Sequence, residues 1–416
     1  MKILIINQPW GNRGDESAHK ALIRNLISSY PKSELEMTTL GNYFEMEKLV
    51  RDFHVESPNM QYTFIPVQKG INTVAKLALK SHLHFLMNAN STIRALKLKY
   101  KDADIIICAP GGICMGGFMN WTHVLSLMIA KSMKKPIAYY GRSIGPFPNS
   151  TSQQKLFNRF SYELLHYMGF ISLRDRKSID YAKEWNVDFH PTVDTAFLEQ
   201  PKVLLPYRIQ KQLAGKKYMV MVPNLLTWHH AFSKCSQELI DKFFIGVIKG
   251  ILNSDSSLYV VMLPQLHNFS YSDDKYYFES LSERIASNRV EIIDDMYGSD
   301  IQQTIISSAE FVVGARYHSI VFALNQGCPF VSLSYEHKMS GLLDNLGIKD
   351  SIVDITDIFN NDEDVLKAIN EVLEKVNSIP VRRQYCEAWR NKAQKIANDS
   401  FALFKDFLKQ VTCTSK

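Results

Sequence analysis

Gly314-Ala-Arg-Tyr-His-Ser-Ile-Val-Phe-Ala-Leu-Asn-Gln-Gly-Cys-Pro-Phe-Val-Ser-Leu-Ser-Tyr-Glu-His-Lys338 is the stretch that decides the fold. An apolar strand, Phe311 to Val313, runs into Gly314; then come Arg316, Tyr317 and His318, and an apolar helix starts on them. A second apolar strand, Phe330 to Leu333, ends in Tyr335, Glu336, His337 and Lys338. In an α/β sheet the loops at the carboxyl ends of the strands line the ligand crevice. Arg316 and His318 are therefore expected where an anion meets both a helix N-terminus and a fixed guanidinium. The plainer alternative is a strand-turn-helix unit whose Arg and His merely cap or pair locally.

The same alternation extends over the chain. Strands are expected at Lys2 to Ile6, Asp104 to Ala109, Pro136 to Tyr140, Phe170 to Leu173 and Phe189 to Val193. A second series follows at Tyr218 to Val222, Leu258 to Leu263 and Val290 to Ile293, the last ending at Asp294-Asp295. Helices are expected at Glu16 to Ser29, Trp121 to Ser132, Gln153 to Tyr167, Val365 to Val376 and Tyr385 to Leu408. Near-continuous apolar strands separated by helices indicate parallel sheets covered on both faces. A length of 416 residues exceeds one hydrophobic core. The expectation is an α/β protein of two Rossmann-like domains facing a cleft. The domains are placed at 1–200 and 201–395, with 396–416 a terminal helix that packs back on the first.

Net charge is +6, which suits an anionic substrate or anionic membrane surface and does not demand nucleic acid; none is expected as a partner. The six cysteines form no C-x-x-C pair, and His229-His230 are adjacent, poor spacing for joint ligation. No metal site and no disulfide framework are expected, which fits a reducing cytoplasm. The run Met1 to Ile6 is too short for a signal core, and no apolar run approaches a spanning helix. One asymmetry stands out. Between Glu56 and Asp102 there is no Asp or Glu, while Lys69, Lys76, Lys80, Arg94, Lys97, Lys99 and Lys101 interleave with Leu77, Leu79, Leu83, Phe85, Leu86 and Met87. It reads either as a solvated basic helix pair or as a peripheral surface for anionic lipid on the inner face of the plasma membrane.

Five further blocks accompany the opening segment, which itself closes in Glu-His-Lys: Asn12-Arg-Gly-Asp-Glu16, Gly111-Gly112, Tyr140-Gly-Arg-Ser-Ile-Gly-Pro-Phe147, Ser172-Leu-Arg-Asp-Arg-Lys-Ser178 and Pro191-Thr-Val-Asp-Thr-Ala-Phe197. In this order they resemble the polysaccharide pyruvyl transferase family. The resemblance implies transfer of a pyruvyl group from phosphoenolpyruvate to a sugar, giving a cyclic ketal, on a fold similar to the two-domain (GT-B-like) glycosyltransferases. It implies no cofactor beyond the donor substrate, and an acceptor sugar carried on a lipid or nucleotide. Arg174 and Arg316 match family residues that bind or activate the donor.

Phosphoenolpyruvate carries a phosphate and a carboxylate, and Arg suits planar two-point contact with both. Ketal formation needs a general acid, for which His318 is the candidate. Asp15 is the candidate base for an acceptor hydroxyl, or simply a helix N-terminal acid. Asn12, Gly14, Gly111, Gly112 and Gly145 belong to loops where backbone can approach a ligand, with Ser143 beside them. Arg142 departs from the family pattern, where an uncharged amide is common; it is expected either to add a third cation to the anion site or to reflect a different acceptor. Asp194 would orient a partner, and Tyr317 offers a backbone N–H with its ring packed away. His267 and Lys338 complete the candidates, with Lys338 alternatively pairing with Glu336. Arg174 has its own plainer reading, a salt bridge to Asp175 or Asp180. Two competing functions are a sugar-nucleotide-dependent glycosyltransferase of similar fold and a non-catalytic carbohydrate-binding protein.

Overall fold

A computed structural model of the chain describes every residue except 43–45, 48–49, 118, 268–272, 294–296, 336 and 415–416. Asp294, Asp295 and Glu336 thus lie outside the described residues. The chain divides into two compact units. One comprises Met1–Trp10, Ala18–Leu198 and Ile396–Lys416; the other comprises Gly11–Ser17 and Glu199–Lys395. Of the four divisions, one falls inside helix Arg13–Ser29 and one inside helix Cys386–Thr414. Chain order gives no hint that the short segment Gly11–Ser17 groups with the second unit.

The first unit is built on strands β1 (Lys2–Ile6), β2 (Glu34–Leu40), β3 (Met60–Ile65), β4 (Ile105–Cys108), β5 (Gly111–Met115), β6 (Ile137–Ile144), β7 (Phe170–Leu173) and β8 (His190–Pro191). Their order is β3-β2-β1-β4-β6-β7-β8, with β5 also paired to β6. Every pairing is parallel, with Ile3 opposite Leu35 on one side and Ile105 on the other. Residues 3–6 and 105–108 are buried throughout because helices cover both faces. The terminal helix contributes here too: Phe404 packs 4.8 Å from Tyr140 and 5.0 Å from Phe170, and the Tyr30 hydroxyl donates to the Lys405 carbonyl at 3.0 Å.

The second unit carries β9 (Lys217–Val222), β10 (Leu258–Met262), β11 (Val290–Ile292), β12 (Val312–Gly314), β13 (Phe330–Ser334) and β14 (Ile352–Asp354), in the order β11-β10-β9-β12-β13-β14. All these pairings are parallel as well. In each sheet the chain winds outward from one central strand and returns to its other side. The carboxyl ends of β1 and β4, and of β9 and β12, are therefore the topological switch points where such sheets hold ligands.

β2 and β3 escape a reading by pattern. Glu34-Leu-Glu-Met-Thr-Thr-Leu40 looks polar, yet all but its ends are buried. Glu36 is tolerated inside because Lys99 reaches it at 2.5 Å, Thr63 donates to it at 2.6 Å and Lys2 lies at 3.8 Å. Burial pushes its carboxyl up, and these partners outweigh that to leave it below the ordinary value.

Candidate active site

In the second unit, Gly314 ends β12 and Arg316 is extended (φ −111°, ψ 136°), so helix Tyr317–Gln326 begins directly after it. The Ser319 hydroxyl folds back to donate to the Arg316 carbonyl at 2.5 Å, and a Cβ on residue 314 would collide with that hydroxyl. The guanidinium of Arg316, itself partly exposed, forms an ion pair with the buried Asp274. Asp274 also accepts the backbone N–H groups of Gln265 (2.9 Å) and Leu266 (3.0 Å), in the loop that follows β10. Burial pushes the Asp274 carboxyl above its ordinary value, with Arg316 and the two backbone donors opposing that shift. Arg316 is thus fixed by a carboxylate 42 residues away.

The segment Gly11–Ser17 docks on the same structure. The Arg13 N–H donates to the Gln265 carbonyl at 2.9 Å, the His267 N–H to the Gly11 carbonyl at 2.8 Å, and Asn12 forms a β-bridge with Leu266. The Asn12 side chain accepts the Gly14 N–H at 2.8 Å, so it shapes the turn. A Cβ on Gly14 would coincide with the imidazole of His318. Gly14 therefore lets backbone approach a catalytic candidate, where ligand access was the expectation. Glu16 is fully buried, pairs with Arg13 at 2.7 Å and accepts the Ser299 N–H and hydroxyl at 2.8 and 3.0 Å. Asp15 stands beside it, half-buried in the first turn of its helix.

His318 is mostly buried, with the Tyr317 ring edge-on at 5.0 Å. The Tyr317 ring is thus packed against the histidine. His267 is buried, with Nδ1 3.9 Å from Asp273. Lys338 lies half-buried in helix His337–Leu346, and its expected alternative partner, Glu336, is outside the described residues.

In the first unit, Arg174 follows β7 and is buried in an ion pair with Asp194. Asp175 instead caps helix Arg176–Glu184 through the Ser178 N–H, and Asp180 lies 3.3 Å from Arg176, so neither is the partner expected of Arg174. Ser143 accepts from Arg174 Nε at 3.3 Å, and Asp194 also accepts the Ala196 N–H at 3.0 Å. Ser143 and Asp194 thus hold Arg174 in place. Arg142 lies inside the first unit, with its Nε and Nη2 without a hydrogen-bond partner among the described residues. It is wholly buried, donates to the Ala109 carbonyl at 2.8 Å and lies 5.6 Å from the Tyr139 ring. Gly145 (φ +77°) is required because a Cβ there would strike Tyr181, a packing reason unrelated to a ligand. Gly111 and Gly112 open β5, and a Cβ on Gly112 would meet nothing within 4 Å.

The sequence reading also leaves unmarked a cavity of about 240 Å³ in this unit. It lies at the carboxyl ends of β1 and β2, lined by Asn7, Trp10, Thr38, Asn120, His123 and Ser126 among others, with no Asp, Glu, Lys or Arg among the described residues of its wall. Asn7 holds it open from the left-handed region (φ +63°), donating to the His123 carbonyl at 3.1 Å and accepting the Ser126 hydroxyl at 3.0 Å. The buried Thr38 hydroxyl and Trp10 indole N–H have no hydrogen-bond partner among the described residues. Burial pushes His123 well below the ordinary histidine value, so the wall stays neutral. Among the described residues no group of three or more His, Cys, Asp or Glu is arranged to hold a metal ion.

Two parallel α/β units with polar clusters at their switch points define a two-domain enzyme of the GT-B-like class. Solved structures agree on that fold. UDP-GlcNAc 2-epimerase from Neisseria meningitidis, bound to UDP-GlcNAc, matches with a TM-score of 0.60 at 12% identity, covering 98% of this chain and 100% of that one. Anabaena Alr3699/HepE, in complex with UDP and glucose, matches with a TM-score of 0.57 at 13% identity over 98% and 99% of the two chains. The polysaccharide pyruvyl transferase family model matches residues 12–337, and the chain belongs to that family. It is a transferase. The amylovoran biosynthesis protein AmsJ of Erwinia amylovora is 22% identical over 405 residues, covering 91% of this chain and 94% of AmsJ.

Proposed function

We propose that this protein moves the pyruvyl group of phosphoenolpyruvate onto a sugar of a lipid-linked precursor, in the cytoplasm, during cell-surface polysaccharide assembly. One observation carries the reading: His318 and a carboxylate-held Arg316 stand together at the N-terminus of a ten-residue helix. That combination suits a small dianion, since the helix end supplies N–H groups and the guanidinium is already oriented. Arg174, which Asp194 holds in the first unit, matches a family residue that binds or activates the donor.

In the first step His318, protonated, gives a proton to the methylene carbon of the enol phosphate. The central carbon becomes oxocarbenium-like, and a sugar hydroxyl adds to it while losing its proton to a base, for which Asp15 is the candidate. Inorganic phosphate then leaves with the C–O bond electrons. A second hydroxyl of the same sugar attacks that carbon, gives its proton to the now neutral His318 and closes the ketal. The neutral cavity of the first unit suits the acceptor, since hydroxyl and amide groups with an indole wall match an uncharged sugar. No cofactor or metal takes part in this scheme.

The test is sugar-dependent release of phosphate from phosphoenolpyruvate, run beside thermal shifts with phosphoenolpyruvate, UDP-sugars and CMP-sugars. A ligand at ~100 Kd adds ~2.7 kcal/mol of stability. Stabilisation by phosphoenolpyruvate together with phosphate release supports the reading. Stabilisation by a sugar nucleotide alone turns it to a glycosyltransferase.

A further inference from the structure

The acid-free stretch between Glu56 and Asp102 folds into helix Ile71–Lys80, a 3-10 turn His84–Ala89 and helix Ser91–Asp102, all within the first unit. Their inward residues are ordinary core: Ala75, Ala78 and Leu79, then Met87, then Ile93, Leu96 and Tyr100. Their outward residues are not ordinary surface. Val67, Leu77, Leu83, Phe85 and Leu98 are exposed, Phe85 at 67% and Leu98 at 66%. One exposed leucine needs no explanation, but five large apolar side chains within about thirty residues, with no carboxylate among them, do. Lys69, Lys80, Arg94 and Lys101 are exposed alongside. Arg94, though exposed, donates to the Asn88 carbonyl at 2.6 Å; of the remaining cations Lys99 is bonded to Glu36, Lys76 sits 3.4 Å over the Trp121 ring, and Lys97 donates to Asn88 at 2.8 Å.

We infer that this face docks on an anionic phospholipid bilayer, with Leu77, Leu83, Phe85 and Leu98 entering the interface and Lys69, Lys80, Arg94 and Lys101 meeting the headgroups. Apolar side chains interleaved with cations and free of acids match an anionic lipid surface in both chemistry and sign. Among the described residues no helix is long and apolar enough to cross a membrane, so the contact is peripheral. The same elements build the neutral cavity. Helix Ser91–Asp102 contributes Leu96 and Tyr100 to its wall, and the cavity residue Thr122 donates to Asn72, at the start of helix Ile71–Lys80, at 3.2 Å. Docking would therefore bring the cavity to the bilayer surface, where a lipid-linked sugar is presented. That last link rests on the proposed acceptor; the docking itself does not.

The experiment is co-sedimentation of the full chain with phosphatidylcholine vesicles, with and without phosphatidylglycerol, over a range of salt. The expected result is binding only with phosphatidylglycerol, weakening as salt screens it. Lys69→Glu, Lys80→Glu and Lys101→Glu together should reduce binding by at least roughly fivefold per cation removed. Leu77→Ser with Phe85→Ser should reduce it independently, at unchanged charge. All five positions are exposed, so unchanged unfolding midpoints are expected. Absence of wild-type binding at low salt overturns the inference, as does equal binding to neutral vesicles or binding untouched by both variants. Failure of the pyruvyl-transfer reading shows differently: vesicles bind, yet phosphoenolpyruvate releases no phosphate with any acceptor.

Discussion

The carboxyl ends of the two sheets share a topology and differ in charge. Beyond β10 and β12, charged groups are locked together as Arg316–Asp274 and Arg13–Glu16, with His267 beside Asp273. Beyond β1 and β2 lies a cavity walled by hydroxyls, amides and an indole, with its histidine held neutral by burial. The first unit carries a buried arginine–aspartate pair, Arg174–Asp194, beyond β7. Topology thus fixes where a ligand is held, while the polar residues fix which kind. In both pairs the guanidinium is held in place by a carboxylate.

Breaking those pairs has the largest expected effect. Arg316→Ala and Arg174→Ala each leave a buried carboxylate uncompensated, a loss of about 3–5 kcal/mol in denaturant unfolding, with turnover gone. Arg316→Ala combined with Asp274→Asn should recover much of the stability and none of the activity. Wild-type stability in Arg316→Ala would show that the pair does no structural work. Next, His318→Gln should lower kcat roughly 10²–10⁴-fold and leave phosphoenolpyruvate binding within about tenfold. Collapse of binding at unchanged kcat would make His318 a ligand-holding residue instead. Gly14→Ala, which drives a methyl into that ring, should cut kcat in the same direction.

A third prediction separates the units by pH. His19, buried in the first unit against Trp10, Phe53 and Tyr62, is pushed down to about 3, chiefly by burial and then by Lys20. Its folded value lies below its unfolded value near 6.5, so the unfolded chain binds the extra proton between them. The stability His19 contributes is present above pH ~6.5 and falls by up to about 1.4 kcal/mol per unit down to pH ~3. Urea unfolding of His19→Phe should show a flatter profile across that window; an unchanged slope rejects the assignment. The smallest effect belongs to Thr38→Val. Its buried hydroxyl has no protein partner among the described residues, so stability should hold while the acceptor KM rises roughly fivefold, one hydrogen bond's worth. An unchanged KM would remove the cavity from the acceptor site.

Much of this molecule is legible in the sequence, and the illegible parts have identifiable causes. Strands such as Ile105–Cys108 and Val312–Gly314 show themselves because both faces are buried, leaving unbroken apolar runs. β2 hides because Glu36 sits inside it, made tolerable by Lys99 and Thr63 from other elements. Helix Arg13–Ser29 begins three residues before its expected start, since Asn12, Arg13 and Gly14 are set by contacts with Gln265 and His318 that no local pattern encodes. Asp274 reads locally as an acid near a helix start, one of many, and nothing nearby marks it as the partner of Arg316.

By itself the sequence determined the alternation of strand and helix, the parallel character of both sheets, and the loops that bear Arg174, Arg316 and His318. These depend on side-chain periodicity and on residue order, both local properties. Only the tertiary structure decided that Asp194 holds Arg174 and Asp274 holds Arg316, that Arg142 faces inward, that Gly14 makes room for His318, and that Gly11–Ser17 belongs with the second unit. Those partners stand 20 and 42 residues apart in the two pairs. Which strand lies beside which brings them together, and in a parallel sheet that neighbour is never the adjacent stretch of chain.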